Sequence, residues 1–248
     1  NFNYRYDLLA HETSEAQPAA LMHDAIGAGV VFARSDWTLN ASWMDFIAGT
    51  FDQSHAHEDQ GSFTLYRHGW LAVSPNIFSH SGLHEEVTAH SVLRFDQNGA
   101  AIPQNHGTAT RTVNDGGDIL TIAANLTPIY ADHAQAVPSW NRTMTYARSS
   151  HTFTVHDTCQ VAADVHPVWQ LQLPTAPQLQ SDGSIVAGGL VIRPLLPAAP
   201  SVNVVDLHAS GPLHDPSDPN SIPEFDAGYR LELSAPSGCE FKVELKAL

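Results

Sequence analysis

Two short runs near the end of the chain decide the fold: Tyr229-Arg230-Leu231-Glu232-Leu233 and Phe241-Lys242-Val243-Glu244-Leu245. In each, apolar and charged residues alternate one for one. That period puts every second side chain on the same face of an extended strand, so each run reads as a strand with one face buried. The same alternation recurs in Ser42-Trp43-Met44-Asp45-Phe46 and in Thr152-Phe153-Thr154-Val155. Asn98-Gly99, Asp115-Gly116-Gly117 and Asp182-Gly183 punctuate such runs and mark tight turns. Many short strands separated by turn residues predict an all-β chain, a large antiparallel β-sandwich of the two-layer supersandwich type. One short helix is expected around residues 16–26, and the Pro-rich stretch from Pro194 to Pro223 reads as a long surface excursion.

A chain of 248 residues is long enough to bury a full core without covalent staples. Cys159 and Cys239 either pair in an oxidising compartment or stay as buried thiols, and their spacing excludes a CxxC motif. The formal net charge is -15, with two lysines, so a nucleic-acid partner is rejected. No apolar run approaches the roughly 18 residues that span a membrane. Asn1-Phe2-Asn3-Tyr4 reads as mid-chain sequence.

Fifteen histidines are the unusual feature. In Ser54-His55-Ala56-His57-Glu58-Asp59, an extended backbone would place His55, His57 and Asp59 on one face. Such a group can bind a divalent metal or set a base beside its orienting partner. The plainer alternative is the solvated face of a strand. A second group holds His80, His84, Glu85, Glu86 and His90, with His90 inside the strand-like run Val87–Leu93. A cupin-type metal site is a further alternative, but Gly61 and Ser62 stand where cupins carry a Glu.

Several segments, in order, resemble the β-domain of heparinase II/III-like polysaccharide lyases. They are Arg34-Ser35-Asp36-Trp37, Ala41–Gly49, His55-Ala56-His57 through Tyr66, Gly69–Val73, Val87–Val92, Asn125–Tyr130, Trp140-Asn141-Arg142, His156-Asp157 and Trp169–Pro174. The resemblance covers about residues 27–200. It implies residues 1–26 as the connection from a missing N-terminal helical toroid domain and 27–248 as the lyase's C-terminal β-sandwich. It implies cleavage of an acidic, uronic-acid-containing polysaccharide by β-elimination, with most catalytic groups on the helical domain and the isolated chain inactive. It implies a catalytic role for His55 and a structural divalent metal, zinc or similar, at His57, His90 and Ser74. Ser74 stands where the family usually has Asp, and Ser91 where it usually has Asn. A periplasmic or secreted bacterial location follows from the same resemblance. The competing expectation is a non-catalytic carbohydrate-binding or scaffolding module. Trp37, Trp43, Trp70, Trp140 and Trp169 are then the candidates for sugar stacking.

Overall fold

The structure is a computed structural model, and it describes residues 18–51, 56–74, 86–210 and 228–248. Its strands form an antiparallel β-sandwich, as the alternation predicts. A five-stranded sheet runs in the order Met22–Ala25, Val30–Arg34, Trp43–Ile47, Phe63–Tyr66 and Trp70–Ala72. A second five-stranded sheet has Ser201–Asp206, Tyr229–Ser234, Val165–Leu173, Leu93–Gln97 and Ala100–Ala101. Val73 N–H donates to the carbonyl of Gln172 at 3.1 Å, which joins these two sheets edge to edge.

An eight-stranded sheet faces them, built from Thr110–Asp115, Ile119–Asn125, Ser139–Ala147, Thr152–Gln160, Glu240–Ala247, Leu190–Leu196, Ile185–Ala187 and Gln178–Leu179. Thr50–Phe51 and Gly107–Thr108 make a two-stranded ribbon. The inward faces merge into one core. Phe46, Phe63 and Leu65 come from the first sheet, Phe95, Trp169 and Leu171 from the second, and Trp140, Met144, Tyr146, Phe153 and Val243 from the third. Phe95 meets Trp140 edge-on at 5.8 Å across the layers. Burying side chains of this size is the main favourable term in holding the layers together.

The turn signals act as expected. Asn98 and Gly99 have φ of 54° and 81° and close the hairpin from Leu93–Gln97 to Ala100–Ala101. Such positive values at both central positions suit Asn-Gly. Cys159 and Cys239 form a disulfide at the ends of two paired strands, with Cα atoms 5.1 Å apart.

Three expectations need correction. The described part of the segment expected as a short helix is extended: Met22–Ala25 pairs with Val30–Arg34, and only Ile26–Ala28 is a 3-10 turn. Gly29, with φ of 73°, closes that hairpin, and pairing with a neighbouring strand outweighs a marginal helical pattern. The sandwich therefore starts at or before Met22, not at residue 27. The Pro-rich excursion also contains a strand, Ser201–Asp206, paired along its length with Tyr229–Ser234. Among the described residues, no helix is long and apolar enough to cross a membrane.

Candidate functional site

The site lies where two irregular segments, 56–62 and 86–92, meet over the inner sheet faces. The first carries His57 and the second His90. Their rings lie 5.4 Å apart between centroids, tilted by 48°. Ser74, two residues beyond the strand Trp70–Ala72, has its Oγ 2.8 Å from Nδ1 of His90. His90 is 1% exposed and its Nε2 is buried. Three of the four residues predicted for the site thus converge. The fourth, His55, lies outside the described residues, as do His80, His84 and Glu85. Among the described residues, no group of three His, Cys, Asp or Glu side chains converges as a metal cluster. The site's described donors are two imidazoles and a hydroxyl.

Neither segment has the backbone that its pattern suggests. Residues 56–60 are not a strand, so His57 and Asp59 are not held by strand alternation. The reason is Gly61, which turns the chain with φ of +88° before the strand Phe63–Tyr66 begins. Val87–Ala89 is a 3-10 turn, and the strand starts only at Leu93. Side-chain hydrogen bonds hold this turn. Glu58 accepts from Val87 N–H at 3.0 Å, so the residue beside His57 caps the turn that leads to His90. Burial pushes the Glu58 carboxyl up from its usual range. Gln170 donates from Nε2 to the carbonyls of Val87 (2.6 Å) and His90 (2.7 Å), and Gln172 donates to that of Thr88 at 2.9 Å. Both glutamines are fully buried on the strand Val165–Leu173. Each buried amide is matched to a carbonyl that no strand ladder satisfies.

The two segments are then clamped together from below. Arg142 and Asp157 face each other on neighbouring strands, both fully buried, with Nε–Oδ1 and Nη2–Oδ2 distances of 2.8 Å. Arg142 Nη1 donates to the carbonyl of Gly61 at 2.7 Å and to that of Ser91 at 2.9 Å. Ser91 N–H donates to Ser62 Oγ at 3.2 Å. Trp140 Nε1–H donates to Asp157 Oδ1 at 2.8 Å. One guanidinium therefore fixes the residue after Gln60 and the residue after His90 at once. This planar, bidentate arrangement suits Arg and would not survive replacement by Lys.

Asp59 is partly buried, and that burial raises its carboxyl pKa to about 6. Burial likewise raises that of Asp45, which accepts from Thr64 N–H and Oγ. Arg142, Asp157, Glu58, Gln170 and Gln172 were not singled out as site residues from sequence. A signal existed for Arg142. The alternation Trp140, Arg142, Met144, Tyr146 puts it on the inward face, where a charge must be paired. For the two glutamines, alternation with Trp169, Leu171 and Leu173 signals a solvated face, and only the docked 86–92 segment makes it a buried one.

No family profile matches the chain, and no characterised protein matches it by sequence. Solved structures do match. The Heparinase III-BT4657 gene product superimposes with a TM-score of 0.72 at 13% identity, over 100% of this chain and 41% of its own. The heparan sulfate lyase HepC from Pedobacter heparinus gives 0.70 at 17%, over 98% and 38%. Another heparinase III structure gives 0.73 at 12%, over 100% and 42%. The chain thus has the fold of one part of these proteins and spans about two fifths of their length.

Proposed function

We propose that this chain is the β-sandwich part of a polysaccharide lyase that cleaves uronic-acid-containing glycans by β-elimination, together with a helical domain. The observation that carries this reading is the superposition of the whole chain, at TM-scores of about 0.7, on part of heparinase III and heparan sulfate lyase structures. The convergence of His57, His90 and Ser74 supports it. The Cys159–Cys239 disulfide accords with a periplasmic or secreted location.

β-Elimination asks three things of a site. The carboxylate on C5 must be neutralised, so that the C5 proton becomes acidic. A base takes that proton, and the C–H electron pair becomes the C4=C5 double bond. The C4–O4 bond breaks, and an acid delivers a proton to the departing O4. In this reading His55 is the sandwich's contribution, set against the carboxylate or assisting proton transfer. The helical domain supplies the other groups, and the isolated chain is inert.

We assign His57 and His90, with Ser74, to a structural divalent ion. Two neighbouring imidazoles fit a zinc donor set, while a neutral hydroxyl is a poorer third donor than a carboxylate. Ser74 Oγ lies 2.8 Å from Nδ1 of His90, close enough for the two atoms to face one ion. Such an ion would supply cohesion between the segments 56–62 and 86–92.

The test is digestion of hyaluronan, alginate and heparin by the protein that joins this chain to its helical domain. The expected result is a rise in ultraviolet absorbance from the C4=C5 uronate with at least one polymer, none with the isolated chain, and loss of at least about 100-fold in rate for His55→Ala, within the usual range for acid–base groups. Saturated products only, or no cleavage of any of the three, contradicts the reading.

A further inference from the structure

The outer face of the first sheet carries a row of aromatic side chains that the histidine site does not use. Register places Arg34 opposite Trp43, Trp43 opposite Tyr66, and Tyr66 opposite Trp70. These are four adjacent positions on four neighbouring strands, so the row is about 15 Å long, the reach of a short oligosaccharide. The rings touch: Trp43 stacks on Tyr66 at 5.2 Å, and Trp70 stands edge-on to both, at 5.0 and 5.6 Å. At the far end the Arg34 guanidinium lies 4.0 Å over the ring of Trp37. Trp70 is 46% exposed and Trp37 36%, whereas Trp43 is half-buried and Trp140 and Trp169 are fully buried. A groove of about 570 Å³, lined by Leu21, Met22, Phe32, Arg34, Trp37 and Trp43, runs beside the Arg34 end.

Charge identifies the occupant. The chain carries -15 overall, yet among the described residues neither Arg34 nor Arg67 makes an ion pair with a carboxylate. Arg34 donates from Nε to the backbone carbonyl of Asp36, and Arg67 from Nη1 to that of Ala247. Arg67 lies in the turn that links Tyr66 to Trp70, but its guanidinium is turned to the facing sheet, so Arg34 is the cation of the aromatic row. Asp45, one row away on the same strand as Trp43, is occupied by Thr64, and the Asp36 carboxylate, two residues from Arg34, accepts from Ser35 Oγ and Thr38 N–H. An exposed indole offers a flat apolar surface to the C–H face of a sugar ring. A guanidinium offers a fork that matches a carboxylate.

We propose that this row is a second, non-catalytic binding site for an acidic oligosaccharide. Sugar rings lie along Trp70, Tyr66 and Trp43, and a uronate carboxylate sits on Arg34. The site is distinct from the His57–His90 pair and does not depend on the chain taking part in catalysis.

The test is calorimetric titration of the 248-residue chain with a hyaluronan tetrasaccharide and with its carboxyl-reduced counterpart. The expected result is saturable binding of the acidic sugar, weakened by added salt, with the reduced sugar binding at least about tenfold more weakly. Trp70→Ala, at an exposed position that the core does not need, and Arg34→Gln each weaken binding by at least about tenfold, while His57→Ala leaves it unchanged. Absence of binding, equal affinity for the reduced sugar, or undiminished binding by Trp70→Ala overturns the proposal. Lyase activity is read separately, so failure here and failure of the lyase reading are distinguishable.

Discussion

Replacing Arg142 with Met lowers the stability of the chain by about 3–5 kcal/mol, the cost of breaking a buried ion pair by removing one partner. Asp157 has no exposure and keeps only the indole N–H of Trp140 once the guanidinium is gone. The carbonyls of Gly61 and Ser91 lose their charged donor at the same time. The double change Arg142→Met with Asp157→Leu should restore a large part of the loss, because the unpaired charge is removed as well. Urea unfolding at neutral pH reads both outcomes. A loss below about 1 kcal/mol for Arg142→Met would mean that water or another group reaches Asp157, against the burial seen here. Hydrogen exchange adds a local readout: amides of residues 56–62 and 86–92 should exchange faster in the single variant, because Arg142 donates to a carbonyl in each segment.

Gly61→Ala is the second large effect, at about 2–5 kcal/mol. Two terms add. Gly61 has φ of +88°, which a residue with a Cβ adopts at a cost of roughly 1–2 kcal/mol. Its Cβ would also stand 2.7 Å from Cη2 of Trp140 and 2.8 Å from Cδ1 of Leu126, both fully buried. Overpacking of that kind costs roughly a further 1–3 kcal/mol. Neither neighbour can retreat easily, since Trp140 is fixed through Asp157 and packs on Phe95. The segment carrying His57 would shift with Gly61. Thermal unfolding tests the prediction, and a variant as stable as the parent would show that the turn has another conformation.

What was legible in the sequence follows the physics of each signal. Period-two alternation reports directly on a sheet with one buried face, so Trp43–Ile47, Thr152–Gln160, Tyr229–Ser234 and Glu240–Ala247 read correctly. Local turn chemistry at Asn98-Gly99 and Asp115-Gly116-Gly117 read correctly for the same reason, since it needs no distant partner. The meeting of His57 and His90 came from resemblance, because nothing local links residues 33 positions apart. The backbone around them misread. Val87–Leu93 has a strand's composition, yet Glu58, Gln170 and Gln172 supply hydrogen bonds that hold a 3-10 turn instead. Those bonds come from elements far away in sequence, where composition and spacing carry no signal. Asp59 misread likewise: as part of an alternating polar run it should be solvated, but the chain turns at Gly61 and partly buries it.

The central claim is that His57 and His90 form one ion-holding site with Ser74. Titration of the metal-stripped chain with cobalt(II), followed by its visible absorption, tests it most directly. One equivalent should bind, with affinity falling on acidification because an imidazole must be neutral to coordinate. His57→Ala and His90→Ala should each abolish that binding, and Ser74→Asp should strengthen it by roughly tenfold or more, as a carboxylate replaces a hydroxyl. Cobalt that fails to bind, or that binds equally well to both alanine variants, would contradict the account.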